Sequence, residues 1–75
     1  MMEDGIEYKV LKKFKESLVV RRSELIQLIQ NELKTSEDPK NLVNTLTKMF
    51  IQKGWITPLY ASESTFAITQ RGIKA

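Results

Sequence analysis

The sequence contains no cysteine and no histidine. Without thiols there can be no disulfide and no Cys-type zinc site. Without imidazole, the commonest transition-metal ligand and the usual proton shuttle near neutral pH are missing. The three glycines stand far apart, so no glycine-rich phosphate loop is present. No apolar run approaches the ~20 residues that span a bilayer. Residues 1–5 carry Glu3 and Asp4, the wrong sign for a secretory leader. These absences predict a cytoplasmic protein with no membrane segment, no metal and no cofactor. Catalysis is equally hard to place. Ser23 and Ser62 lack a partner suited to activating a hydroxyl. The carboxylate pairs Glu3/Asp4 and Glu37/Asp38 fall where helix capping explains them. No enzymatic activity is expected, and no small-molecule ligand is evident.

What remains is a chain of 75 residues with a net charge of +3 and bulky apolar residues along its whole length. That length predicts one small domain over residues 1–75. The charge is unevenly spread. Residues 1–8 carry only acids. Residues 9–22 carry Lys9, Lys12, Lys13, Lys15, Arg21 and Arg22 against Glu16, and residues 23–39 reverse the balance with Glu24, Glu32, Glu37 and Asp38 against Lys34. Beyond residue 39 the single acid is Glu63. Such alternation suggests a polarised surface with one face able to meet a polyanion. Ordinary solvated surface charge is the plain alternative.

Hydrophobic spacing divides the chain into four segments. A first helix is predicted over about 5–16, with Asp4 as N-cap, Glu7 completing a capping-box-like pair, and Val10, Leu11, Phe14 and Leu18 on one stripe. Leu18, Val19 and Val20 then form a short β-branched run, enough for one or two ladder pairs. A second helix is predicted over about 22–33, with Leu25, Leu28, Ile29 and Leu33 on one face and Ile26 at its edge. A third is predicted over 39–53. Asp38 and Pro39 signal its start, Gly54 its stop, and Leu42, Val43, Leu46, Met49 and Phe50 its buried arc. A hairpin follows, with strands over 55–60 and 65–69. There Ile56, Phe66 and Ile68 face inward, and Pro58 demands an edge or a bulge. The tail from Thr69 reads as a capped helical turn. The fold class expected is α+β, with a three-helix core and a small antiparallel sheet.

The third helix carries the best binding signal. Its outer arc holds Lys40, Asn41, Asn44, Thr45, Lys48 and Gln52, with no carboxylate. Asn and Gln can pair bidentately with adenine in a major groove, Thr offers a hydroxyl and a methyl, and Lys reaches guanine or phosphate. A preceding helix can brace such an element across the backbone. Arg21, Arg22 and Ser23, at the start of the second helix, suit a phosphate contact. Tyr60, Ser62, Ser64 and Thr65 offer weaker contacts from the hairpin turn. Taken singly, Asn41, Asn44 or Gln52 reads better as an ordinary soluble helix face, and the arginines fit exposed turn residues equally well. The acid-free combination is what favours double-stranded DNA. Trp55 reads as a core aromatic seating the hairpin. Ile51 projects towards the polar arc, and either packs under the hairpin or marks an apolar contact with a partner.

Several stretches taken together resemble the winged helix-turn-helix family, in particular small archaeal and archaeal-virus DNA-binding proteins. They are Tyr8-Lys9-Val10-Leu11, Arg22-Ser23-Glu24-Leu25, Leu46 to Phe50, Lys53-Gly54-Trp55-Ile56, and the ending Phe66-Ala67-Ile68-Thr69-Gln70-Arg71-Gly72. The resemblance implies a winged-helix fold and a recognition helix over 39–53. Base-reading positions would fall at Lys40, Asn41, Asn44, Thr45 and Lys48, with a wing over 60–65. Two departures stand out. The wing tip carries Glu63 where family wings that grip a minor groove carry Arg or Lys, and the long C-terminal helix that dimerises several relatives is missing. The function expected is sequence-specific DNA binding by a transcriptional regulator, acting as a homodimer on a palindromic site. A winged-helix protein-interaction module without DNA binding is the competing reading, motivated by Ile51, Glu63 and the mild net charge.

Overall fold

The polar link after the second helix and the hairpin turn interrupt an otherwise continuous description. The computed structural model of the protein describes residues 5–32, 38–59 and 64–75. Asp4, Leu33, the 34–37 link, Tyr60, Ser62 and Glu63 lie outside the described residues. The elements run α1 (Ile6–Ser17), β1 (Val19–Arg21), α2 (Arg22–Glu32), α3 (Pro39–Gln52), β2 (Ile56–Pro58), β3 (Thr65–Ile68) and α4 (Gln70–Lys74). Together they form a small α+β arrangement of four helices and one three-stranded antiparallel sheet among the described residues. None of these helices is long and apolar enough to cross a membrane.

Amphipathic spacing builds the core as expected. Val10, Leu11 and Phe14 of α1, Leu25 and Ile29 of α2, and Val43, Leu46 and Phe50 of α3 are buried in one cluster with Val20, Ile56 and Phe66 of the sheet. Ile26, Leu28, Leu42, Met49, Trp55 and Ile68 pack against it half-buried. Thr47 is buried on the same side of α3, and its hydroxyl donates to Val43 O (2.9 Å) and Asn44 O (3.1 Å), which lets a polar residue sit in an apolar wall.

The sheet order is β1-β3-β2, with Val19, Val20 and Arg21 opposite Ala67, Phe66 and Thr65, and Ile56, Thr57 and Pro58 opposite Ile68, Ala67 and Phe66. β1 therefore makes three ladder pairs rather than one or two. Its extra reach comes from β3, which it joins along its whole length. Pro58 sits on β2, an edge strand, where its missing N–H leaves no ladder partner unsatisfied.

Three boundaries differ from expectation, each for a local reason. The N-cap of α1 is Gly5, extended and without a side-chain hydrogen bond, and the helix starts one residue later than predicted. Leu18 does not join the buried stripe. It takes a positive φ (67°), its amide donates to Phe14 O (2.7 Å), and its side chain is 53% exposed. The chain must reverse here so that Val20 can face the core, and the turn rotates Leu18 outward. Finally, β2 and β3 are shorter than the predicted strands. Trp55 lies before β2, and Thr69 leaves the sheet to cap α4.

That cap forms a clasp. Thr69 Oγ1 accepts from Gly72 N (3.1 Å) and directs its proton towards Gly54 O (2.5 Å) and Trp55 O (3.0 Å), while Thr69 N donates to Trp55 O (2.8 Å). Gly72 is buried directly on the Trp55 carbonyl. A Cβ there would stand 2.3 Å from that oxygen and 2.7 Å from an Ile68 side-chain carbon. Gly72→Ala is therefore expected to destabilise the protein by about 1–3 kcal/mol through overpacking against backbone. Urea unfolding followed by circular dichroism should show the loss as a lower midpoint with an unchanged slope.

Candidate nucleic-acid interface

α3 is fixed by its apolar side. At about 100° per residue, Val43, Leu46, Thr47 and Phe50 share one side, and Lys40, Asn41, Asn44, Thr45, Lys48 and Gln52 span the opposite arc of about 140°. All six are exposed. The helix starts on Asp38, whose side chain accepts from Lys40 N (3.1 Å), with Pro39 at the first turn, as its sequence signals require. It ends at Gln52, is capped by Lys53 and turns through Gly54 at φ +77°.

No carboxylate lies on α3 itself. The N-cap Asp38 does border the arc, sharing a notch of about 200 Å³ with Asn41, Leu42 and Thr45. Asp38 is engaged with the helix amides, so its charge complements the positive end of the dipole. Thr45 Oγ1 donates to Asn41 O (3.1 Å), leaving its methyl and its lone pairs outward. Neither Lys40 nor Lys48 forms an ion pair with another described residue. Gln52 closes the arc at the C-terminal end. Ile51, at about 20° on the same wheel, sits between Lys40 and Asn44 rather than under the hairpin, and is 39% exposed.

The start of α2 reaches this arc through one residue. Arg22 is half-buried, and its Nη2 donates to Asn44 Oδ1. Its backbone N donates to Ser64 O (2.7 Å), which ties the start of α2 to the base of the hairpin turn. Arg22 thus joins α2, α3 and the hairpin in one place, with guanidinium donors left for an anion. Arg21 is exposed on β1, opposite Thr65, next to that junction. Ser23 turns the other way. It lines a shallow depression with Lys13, Glu24, Gln27, Leu28 and Asn31. Ser64 is exposed where β3 begins, while Tyr60 and Ser62 lie outside the described residues.

The structure therefore brings Arg22, Lys40, Asn41, Asn44, Thr45, Lys48 and Gln52 onto one continuous surface, with Arg21 and Ser64 at its border. The Arg22–Asn44 contact has no local signal, because the two residues are far apart in the chain and joined only by packing of α2 on α3. The same holds for Ile51 as a member of the arc, since helical phase suggests its direction but not whether the hairpin covers it. Trp55 has the structural role expected. Its ring packs tilted on Phe50, with centroids 5.2 Å apart. No group of three or more acidic, His or Cys side chains converges among the described residues.

Comparison of the chain with protein families, with curated proteins and with solved structures finds no match.

If the outer arc is free of folding duties, Lys40→Ala, Asn41→Ala and Lys48→Ala should each change unfolding free energy by no more than about 0.5 kcal/mol. Leu46→Ala, one turn away on the buried side, should cost about 2–5 kcal/mol. Chemical denaturation of the four variants separates the two sides of the helix.

Proposed function

We propose that the protein is a winged-helix, sequence-specific binder of double-stranded DNA that acts as a transcriptional regulator, with α3 in the major groove. The observation that carries this reading is the outer arc of α3. Six amide, hydroxyl and ammonium side chains are exposed together on one helix face without a carboxylate among them. A helix of 14 residues is about 21 Å long, enough to lie along a groove about 12 Å wide and present several side chains to base edges. The element order, helix–strand–helix–helix–hairpin with β1 joined to β3, supports the winged-helix layout. In this reading Asn41, Asn44 and Gln52 meet base edges and Thr45 offers its methyl. Lys40 and Lys48 reach guanine or phosphate, and Arg22 both holds Asn44 and contacts backbone. Arg21, Ser64, Tyr60 and Ser62 are candidate phosphate contacts, whereas Ser23, which faces the depression beside Glu24, is left out of the interface. A homodimer on a palindromic site belongs to the same proposal, since Tyr8, Leu18, Val19 and Ile73 leave large apolar side chains exposed away from the arc. The reading requires no catalysis, metal or cofactor.

Ile51 supports a second reading, a winged-helix module that binds protein rather than DNA. An exposed aliphatic side chain within the polar arc suits an apolar partner as well as a thymine methyl. Chemical-shift mapping separates the two. Duplex DNA moves the amides of residues 41–48 as a group, whereas a protein ligand moves those around Ile51.

With about five phosphate contacts, log K should fall with log salt at a slope of roughly −4 to −5. Lys48→Glu should weaken duplex binding by at least tenfold, and Asn44→Ala should weaken it less while flattening preference between sequences, both with folding intact. Fluorescence anisotropy across a salt series measures all three. Absence of duplex binding at low salt, or indifference to Lys48→Glu, refutes the proposal.

A further inference from the structure

The Thr69–Gly72 clasp does more than close the chain. By fixing Thr69 and Gly72 on the carbonyls of Gly54 and Trp55, it sets α4, which packs on α1 and β3, beside the turn that follows α3. Arg71 then lies across Gly54. Its Cδ is 3.3 Å and its Nη1 3.5 Å from where a side chain on Gly54 would begin, so the bare glycine makes room for the guanidinium stem. On the other side, Lys53 Nζ is held 4.6 Å from the centre of the Trp55 ring. Between them opens a cleft of about 680 Å³, lined by Lys53, Trp55, Gln70, Arg71, Lys74 and Ala75. Three of the six are cations and none has an acidic side chain. The backbone oxygen of Ala75 is engaged by Lys15 Nζ (2.7 Å). Lys53, Arg71 and Lys74 form no ion pair with another described residue.

The cleft begins one residue past α3 in the chain; Lys53, at about 220° on the helical wheel, points off the outer arc, so the cleft flanks that arc at its C-terminal end rather than prolonging it. A helix lying in a major groove runs out over the flanking sugar–phosphate backbone at its ends. We infer that this cleft is a seat for the DNA backbone, in which Lys53, Arg71 and Lys74 grip phosphates of the duplex whose groove α3 enters. This rests on the DNA-binding reading and adds a second, sequence-independent anchor to it. The expected order of roles is simple: the arc of α3 discriminates between sequences, and the cleft contributes affinity to all of them.

The test uses the full chain, a mixed-sequence duplex of about two helical turns, and anisotropy over a salt series. The variant K53Q/R71Q/K74Q should bind at least tenfold more weakly, with a salt slope shallower by about 2.7, since each of three phosphates no longer neutralised removes about 0.9 from it. The control K9Q/K12Q/K13Q makes the same change in net charge on α1 and should move the slope by less than about 1. The milder K53Q/K74Q leaves Arg71 on Gly54, protecting the corner, and should fall between the two. Trp55, the chain's one tryptophan, should change its emission when duplex is added. Cleft variants with the wild-type slope, a control that loses as much as they do, or an unchanged Trp55 emission at saturating duplex would each overturn the cleft while leaving the role of α3 standing. Failure of the wild-type chain to bind duplex at all overturns both.

Discussion

The inner side of α3 has to be buried, and most of the molecule follows from that. Val43, Leu46 and Phe50 meet Phe14 of α1, Leu25 and Ile29 of α2, and Val20 and Phe66 of the sheet in a single cluster. Each such side chain contributes about 1.5–3 kcal/mol on burial, far more than any exposed polar residue of the same helix. Rotating α3 by even one position would expose part of this set and bury a lysine or an amide. The helix therefore has one available orientation, and its outer arc is held at a fixed angle to α2. The Arg22–Asn44 contact is a consequence of that packing.

A sheet of three very short strands has little stability of its own. It is held at its corners. At one corner Leu18 adopts a positive φ, its amide closes α1 on Phe14 and its carbonyl accepts from Ile68 N (2.9 Å), which extends the β1–β3 contact past the strand end. At the other, the Thr69 hydroxyl and amide bind the carbonyls exposed where α3 stops, and Gly72 lets α4 approach the same backbone. Both corners satisfy backbone groups that the strands are too short to pair. The second also decides which cations end up side by side.

Ion pairing sorts the positive charge further. The basic run near the N-terminus faces acids of α2, with Lys9 bound to Glu32 (2.5 Å) and Lys13 near Glu24 (3.9 Å). Such exposed pairs contribute little to stability, but they partly neutralise one side of the molecule. Beyond residue 39 the sequence holds five bases and only Glu63 to oppose them. The excess charge of the molecule thus collects on α3, the corner after it and α4, and a net charge of only +3 understates the local field.

Much of this is legible in the sequence. Helical periodicity identifies the buried stripes of α1, α2 and α3. The Asp38-Pro39 start and the Gly54 stop bound α3 to within a residue, and the same phase places Lys40, Asn41, Asn44, Thr45, Lys48 and Gln52 outward. These properties depend on neighbours three or four positions apart, which a local pattern records directly. Leu18 escapes the pattern because its helical phase is right but the turn it occupies follows from the needs of β1 and β3. The Arg22–Asn44 bond, the exposure of Ile51, and the meeting of Lys53 and Trp55 with Arg71 and Lys74 could come only from the tertiary structure. Each joins residues whose distance along the chain is unrelated to their distance in space until the core has packed.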